Sequence, residues 1–144
     1  MPPPNLPELL ARDRYPGMSG HEQGVARRWL TAHGAEFDSI EFNVRLGDGE
    51  PCPPDTEEYL AKCWRENTQK RADLVAIAGG LATIVEVKDR ITPGAVGQIL
   101  TYKMLWNRQY PSIPIARLVV IGRSIISEIG ELFRSQGVDI EILP

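Results

Sequence analysis

Two carboxylates and a lysine occupy positions where a buried β-hairpin should be apolar. Residues 71–90, RADLVAIAGGLATIVEVKDR, consist of two aliphatic runs on either side of Gly79-Gly80, a pair typical of a two-residue hairpin turn. Such a turn fixes the register of its strands, and this register sets Asp73 opposite Glu86. We therefore predict that the two carboxylates share one face of the hairpin, with Cβ atoms roughly 5 Å apart.

Lys88 adds a positive charge to the same face. It lies two residues after Glu86, which corresponds to about 6.6 Å along a strand. Like charges opposite each other destabilise a sheet, so Asp73 and Glu86 need solvent at a sheet edge, one bound proton, or a cation between them. For the Glu-x-Lys tripeptide alone, the simpler alternative is an ion pair at the exposed end of a strand.

A divalent cation would give these residues a chemical role. Mg²⁺ prefers oxygen ligands and retains bound waters. We therefore predict a metal site formed by Asp73, Glu86 and the backbone carbonyl of Val87, with Mn²⁺ as a substitute. The metal would lower the pKa of a bound water and polarise a phosphate group. Lys88 would orient or deprotonate that water and stabilise the charge developing on phosphorus.

Composition and charge are those of an ordinary soluble protein. The 144 residues are 42% hydrophobic and 24% charged, which suits one domain with a hydrophobic core. The formal net charge of −3 lacks the basic footprint of a nucleic-acid-binding domain. DNA contacts must then come from local basic clusters, with Arg71 and Lys103 as candidates, although a solvated surface explains each cluster equally well. Cys52 and Cys63 are too few for a structural zinc site.

The segments before the hairpin predict a helix, a strand and an excursion. Residues 1–19 are rich in proline and are expected to be irregular, apart from a short helical turn at PELLAR. A helix follows, with Ser19 as its N-cap and Gly34 as its C-terminal stop. EFDSIEFNVRL alternates as a strand does. Residues 47–70 contain a loop and a short helix, TEEYLAKCWREN, between the first two strands.

The segments after the hairpin complete an α/β pattern. A helix begins at Thr92-Pro93, and the apolar strand IARLVVIG, the amphipathic helix SIISEIGELFRSQ and the strand VDIEIL follow it. The order of elements is helix, three strands, helix, strand, helix, strand. We predict a single domain over residues 1–144, with a mixed central sheet covered by helices on both faces. No signal peptide or membrane span is recognisable, so we expect a reduced cytoplasmic protein.

This combination resembles the PD-(D/E)XK nuclease superfamily. Asp73, followed after twelve residues by Glu86-Val87-Lys88, is similar to the core motif of that superfamily, with Ala72 in place of the proline that often precedes the aspartate. The order of elements over roughly residues 20–122 is similar to its restriction-endonuclease-like αβββαβ core. The resemblance implies a Mg²⁺-dependent enzyme that hydrolyses DNA phosphodiester bonds.

Two helices extend the resemblance. Gln98 and Tyr102, four residues apart on one helix face, resemble the Gln-x-x-x-Tyr motif of RecB-like nucleases, and NucS-like endonucleases have similar helices. The implied roles are positioning of the lysine or water by Gln98 and a phosphate contact by Tyr102, which could equally pack in the core. Glu22 resembles the third acidic ligand of archaeal-type Holliday-junction resolvases. Its alternative role is to complement the dipole of the first helix turn.

Three functions remain open on the sequence alone. The first is a metal-dependent deoxyribonuclease, for which a homodimer would allow paired cuts as in the junction resolvases it resembles. The second is a nuclease fold without activity that binds nucleic acid or supports an assembly. The third is an enzyme that acts on RNA or modified DNA, because the chemistry of the site does not distinguish these substrates.

Overall fold

The computed structural model describes residues 5–144. Its helices are α1 Leu6–Ala11, α2 Gly20–His33, α3 Glu58–Thr68, α4 Gly94–Gln109 and α5 Gly130–Ser135, with a 3-10 turn at Gly34–Glu36 after α2. Its strands are β1 Ser39–Leu46, β2 Lys70–Ala78, β3 Leu81–Val87, β4 Arg90–Ile91, β5 Ile115–Gly122, β6 Ser124–Ile125 and β7 Val138–Ile142. Residues 1–4 of the N-terminal segment expected to be irregular lie outside the described residues, and the remainder of that segment contains α1.

The main sheet has five strands in the order β1-β2-β3-β5-β7. The first three strands are antiparallel, whereas β3, β5 and β7 are parallel. Helices α1 and α2 pack on one face around Trp29 and Leu30, and α4 and α5 pack on the other around Ile99 and Phe133. The predicted α/β fold is confirmed: a mixed sheet flanked by helices, consistent with a restriction-endonuclease-like core.

The hairpin of β2 and β3 has the register that its turn predicts. The two turn glycines have φ angles of 58° and 75°, as a type I′ turn requires at both central positions. The ladder continues from the turn as far as the pair of Leu74 with Val85. The predicted register is therefore confirmed for these pairs; the ladder ends one position before Asp73 and Glu86, whose carboxyl groups interact with each other.

A backbone reversal at Asn43 changes which face the strands present. Phe42 packs in the layer of α2, but Val44, two residues later, packs in the layer of α4. Asn43 has a φ of 53° and is missing from the ladder between β1 and β2, and a single left-handed residue shifts the alternation of a strand. On β2 the same change occurs between Ala72 and Leu74. Asp73, which lies between these two residues, carries the first carboxylate of the candidate site.

The end of α2 does not use Gly34 as expected. Its φ is −55°, so the backbone continues into the 3-10 turn without a left-handed residue. A Cβ at this buried position would lie 2.7 Å from Cδ1 of Leu6. A side chain at this position would require Leu6 of α1 to shift, and the glycine does not serve as a left-handed helix stop.

The last helix is shorter than the sequence predicts. The expected helix over SIISEIGELFRSQ is wrong for its first half, because Ser124–Ile125 forms β6, which pairs in parallel with β4. Glu128 has a φ of 74°, which a helix does not contain, and α5 begins only at Gly130. A pairing with a strand more than thirty residues earlier in the chain has overridden the local helical periodicity.

Cys52 and Cys63 are both free thiols, and Cys52 is exposed. Within residues 5–144, every helix is too short or too polar to cross a lipid bilayer.

Candidate active site

Asp73 closes the gap where β2 and β3 separate. Beyond the pair of Leu74 with Val85 the two backbones no longer form a ladder. The backbone N–H of Val87 instead donates a hydrogen bond to Oδ2 of Asp73 at 2.8 Å. This bond satisfies the amide of the buried Val87 and fixes the orientation of the Asp73 carboxylate.

Glu86 is the most unusual side chain in the structure. It is only 3% exposed, and its Oε2 has no hydrogen-bond partner in the described part of the chain. Burial, and then the hydrogen bond and charge of Asp73, raise the pKa of Glu86 from 4.5 to about 9. At neutral pH and without a cation, Glu86 therefore retains a proton.

Lys88 and Tyr102 contribute the other charges and dipoles around Glu86. The charge of Lys88 and the hydroxyl of Tyr102 both lower the pKa of Glu86, but less than burial raises it. The backbone N–H of Lys88 donates to the carbonyl of Ile121 at 2.9 Å, which fixes the end of β3 against β5. Lys88 is half-buried, and its charge acts on Glu86.

Tyr102 is buried, so its side chain is not exposed for the phosphate contact that the sequence resemblance implied. It is buried in the layer of α4, with 7% of its surface exposed, and its hydroxyl interacts with Glu86. Burial, and then the charge of Glu86, raise the pKa of the phenol. The structure therefore brings Tyr102 into the site as a neutral hydrogen-bonding neighbour of Glu86, and it does not place the ring on the surface.

The remaining candidate residues lie outside this cluster. Glu22 accepts a hydrogen bond from the N–H of Ser19 at 2.9 Å, in a capping box at the start of α2. Residues 5–144 contain no group of three or more His, Cys, Asp or Glu side chains that could hold a metal, so Glu22 does not join Asp73 and Glu86 as a third ligand. Gln98 is exposed on α4, one turn before Tyr102.

The two basic candidates differ in their surroundings. Arg71 is half-buried, and its Nη2 donates to the carbonyl of Glu66 at 3.1 Å, which ties β2 to α3. Lys103 is exposed on α4 and faces solvent beside β5. Neither side chain contacts the carboxylate pair, so a DNA contact by either residue stays a prediction.

A clamp after Lys88 was missed by the sequence reasoning. Arg123 Nε donates to Oδ1 of Asp89 at 2.5 Å, and the backbone N–H of Arg123 donates to the carbonyl of Asp89 at 2.9 Å. The hydrogen bond from Arg123 lowers the pKa of Asp89. The two residues hold the segment that follows the lysine to the end of β5. Their separation in the sequence gives no local signal for this pair.

The carboxylate pair fits a divalent cation. Mg²⁺ and Mn²⁺ take oxygen ligands, and Glu86 provides a buried oxygen that lacks a partner beside a second carboxylate that is already oriented. A dication between Asp73 and Glu86 would replace the proton of Glu86 and offset both the burial and the charge of Asp73 that raise the pKa of Glu86. The residues present can therefore hold the metal as two carboxylate ligands, with the remaining positions left to water, substrate and backbone.

No family model matches the sequence, and no curated protein matches it. Two solved structures are similar to this chain. The crystal structure of AF1548, a protein of unknown function, has 15% identity and a TM-score of 0.49, over 83% of this chain and 56% of that chain. The complex of EndoMS with double-stranded DNA has 13% identity and a TM-score of 0.49, over 92% of this chain and 48% of that chain. The present chain thus spans about half the length of each.

Proposed function

We propose that this protein is a metal-dependent nuclease that hydrolyses DNA phosphodiester bonds at Asp73, Glu86 and Lys88. One observation carries the proposal: a buried carboxylate with an unpartnered oxygen lies against a second carboxylate, at the end of the strand that also carries a lysine. Such a pair is costly for folding alone, because burial and like charge both oppose ionisation. A site that binds a dication and a phosphate explains why the pair is present.

Each residue of the site has a role that its contacts support. Asp73 is oriented by the N–H of Val87, and Glu86 is held by the core and by Tyr102. A bound Mg²⁺ or Mn²⁺, with the Val87 carbonyl as a further ligand, would polarise the phosphate and lower the pKa of the attacking water. Lys88 orients or deprotonates this water and stabilises the negative charge that develops on phosphorus.

Gln98 has a supporting role in the same proposal. It is exposed one helical turn from Tyr102, and an amide there can hydrogen-bond the attacking water or the lysine from the solvent side. Glu22 keeps its role in the capping box, where both partners of that motif are present.

The alternative is an inactive nuclease fold that binds nucleic acid or supports an assembly. It is favoured by one observation, that a proton held by Glu86 allows the pair to exist without metal. The two functions differ in their response to divalent metal and to the loss of Lys88. RNA is tested as a further substrate in the same assay.

The proposal is tested by cleavage of linear, nicked, branched and single-stranded DNA, and of RNA, in Mg²⁺, Mn²⁺ and EDTA. We expect Lys88→Ala to lower the cleavage rate by roughly 10²–10⁴-fold, because a proton-transfer and charge-stabilising group is lost. Arg134→Ala, which removes an exposed positive charge on α5, is the matched control and should retain the wild-type rate. A folded wild-type protein that cleaves no substrate in either metal would leave the inactive module as the function.

A further inference from the structure

Three exposed arginines from three separate elements line one groove. Arg45 on β1, Arg65 on α3 and Arg108 on α4 all border a groove of about 750 Å³. Within residues 5–144, none of their guanidinium groups has a hydrogen bond or an ion pair with another residue. The other groove residues include Asp48 and Glu66, and Glu66 has its own partner in the ammonium of Lys62 at 3.8 Å.

Other exposed arginines within residues 5–144, namely Arg12, Arg14, Arg90 and Arg134, also have no side-chain partner, so the groove is distinguished by the convergence of three such groups and not by the lack of partners alone. Several guanidinium groups elsewhere donate to a backbone carbonyl or a carboxylate, namely those of Arg27, Arg28, Arg71, Arg117 and Arg123. Exposed cations without a partner repel one another when they converge, and a bound anion removes this cost. Guanidinium is also the group that best matches the oxygens of a phosphate. The convergence of three such groups therefore favours a phosphate-bearing occupant.

The walls of the groove are held rigidly by hydrogen bonds to the loop after β1. Gln109 accepts from the N–H of Gly47 at 3.0 Å, and Gln69 donates to the carbonyl of Gly47 at 2.6 Å. The backbone of one residue, Gly47, thus connects the ends of α3 and α4. Gly49, with a φ of 75°, approaches α3 so closely that a Cβ would lie 2.8 Å from the carbonyl of Arg65. The arginines are therefore presented by a fixed frame, which lowers the entropy cost of binding.

Both walls of the groove lead to the carboxylate pair. Arg45 pairs across the sheet with Arg71, which precedes Asp73 by two residues, about 7 Å along the strand. Arg108 lies six residues after Tyr102 on α4, about 9 Å along the helix axis. At about 3.4 Å of axis for each nucleotide of one strand, this distance corresponds to two or three nucleotides.

We propose that this groove, which we call the arginine groove, binds the phosphodiester backbone of the cleaved strand two or three nucleotides from the scissile phosphate. The inference rests on the proposed nuclease function, because the carboxylate pair sets the position of the scissile phosphate. The excursion over residues 47–70 then has a purpose: its loop and α3 form one wall of the strand-binding surface. The negative net charge of the chain does not oppose this binding, since the cations are concentrated at one place.

The test compares two double variants that each remove two positive charges. Arg65→Ala/Arg108→Ala removes arginines of the groove, and the control Arg117→Ala/Arg134→Ala removes exposed arginines on β5 and α5. Binding to labelled single-stranded DNA, duplex DNA and RNA is measured by fluorescence anisotropy in EDTA, where cleavage does not occur. Circular dichroism and urea unfolding confirm that both variants are folded.

We expect the groove variant to bind at least one of these strands roughly tenfold more weakly for each arginine removed. For this variant, the slope of the logarithm of the binding constant against the logarithm of the salt concentration should be smaller in magnitude, by about 1.4 for a single strand or about 1.8 for a duplex. The control should retain the wild-type slope. If the groove variant and the control bind all three nucleic acids equally well, the inference is overturned.

The outcomes separate this inference from the proposed nuclease function. If the wild-type protein cleaves nothing and the groove variant still loses binding, the arginine groove binds nucleic acid, but the nuclease proposal fails and with it the position of the groove relative to a scissile phosphate. If the wild-type protein cleaves DNA while the groove variant binds and cleaves like the control, the nuclease proposal stands and the groove inference fails.

Discussion

The two ends of the β2–β3 hairpin have similar aliphatic residues, but their backbone N–H and C=O groups find different hydrogen-bond partners. At the turn end, Gly79 and Gly80 close a continuous ladder, and the side chains next to them are apolar. At the open end the ladder stops, and a carboxylate of Asp73 replaces a backbone carbonyl as the acceptor for Val87. The turn end specifies the register of the hairpin, and the open end uses that register to bring two charges together.

This difference indicates where a sheet can accommodate a catalytic site. A polar side chain in a regular ladder has only cross-strand neighbours as partners, whereas a ladder that opens leaves backbone groups that side chains can satisfy. The reversal at Asn43 lies beside this opening, on the neighbouring strand. The positions where side chains of β1 and β2 stop alternating between the two faces of the sheet therefore lie at the candidate site. The regular part of the hairpin supports that site.

The largest expected difference between the two ends of the hairpin is in how each affects the pH dependence of stability. Because the pKa of Glu86 is raised from 4.5 to about 9 in the folded state, the folded protein binds its proton more tightly than the unfolded chain does. This contribution to stability is present in full below pH 4.5, decreases as the pH rises, and is lost by about pH 9, at up to about 1.4 kcal/mol for each pH unit. Glu86→Gln has no such titration.

We therefore expect the metal-free wild-type protein to lose stability relative to Glu86→Gln between pH 5 and pH 8, by an amount on the order of a few kcal/mol. Urea unfolding in EDTA at several pH values measures this difference. Glu41→Gln, at an exposed position of β1, is the control and should follow the wild-type protein. Equal pH dependence of the wild-type protein and Glu86→Gln would show that the carboxyl group is not desolvated as described.

A smaller effect is expected at the turn end. Gly80 has a φ of 75°, so Gly80→Ala should destabilise the protein by roughly 1–2 kcal/mol through the left-handed backbone alone, since a Cβ there meets no other atom within 4 Å. Metal-dependent cleavage by the folded variant should stay at the wild-type rate. Thermal unfolding and the cleavage assay measure the two quantities on one sample. A loss of cleavage at temperatures where the variant is fully folded would show that the two ends are not independent.

Local chemistry in the sequence predicted the parts of the structure that depend on neighbouring residues. The two turn glycines fix the hairpin register because a type I′ turn needs positive φ angles, and this register placed Asp73 opposite Glu86. Ser19 is the N-cap of α2, as its position before the helix predicted, whereas its capping box with Glu22 was found only in the structure. The mixed sheet followed from the order of strands and helices. The turn and the helix cap require only contacts between residues close in the chain, and the mixed sheet follows the general rule that strands separated by a helix pair in parallel.

Features that depend on distant contacts could not be read from the sequence in the same way. The shortening of the last helix depends on the pairing of β6 with β4, and the role of Gly34 depends on α1. The burial of Tyr102 depends on how α4 is rotated against the sheet, which its periodicity alone did not decide. Asn43 adopts a conformation that asparagine tolerates but does not require. The arginine groove joins residues from three elements that no motif connects.

The most direct test of the central claim is calorimetric titration of the metal-free protein with Mn²⁺ at pH 7, in buffers of different ionisation enthalpy. Because Glu86 holds a proton at this pH, we predict that one Mn²⁺ binds and that close to one proton is released with it. Asp73→Asn and Glu86→Gln should both abolish this binding. If Mn²⁺ does not bind, or if it binds equally well to both variants, Asp73 and Glu86 are not a cation site and the nuclease proposal loses its basis.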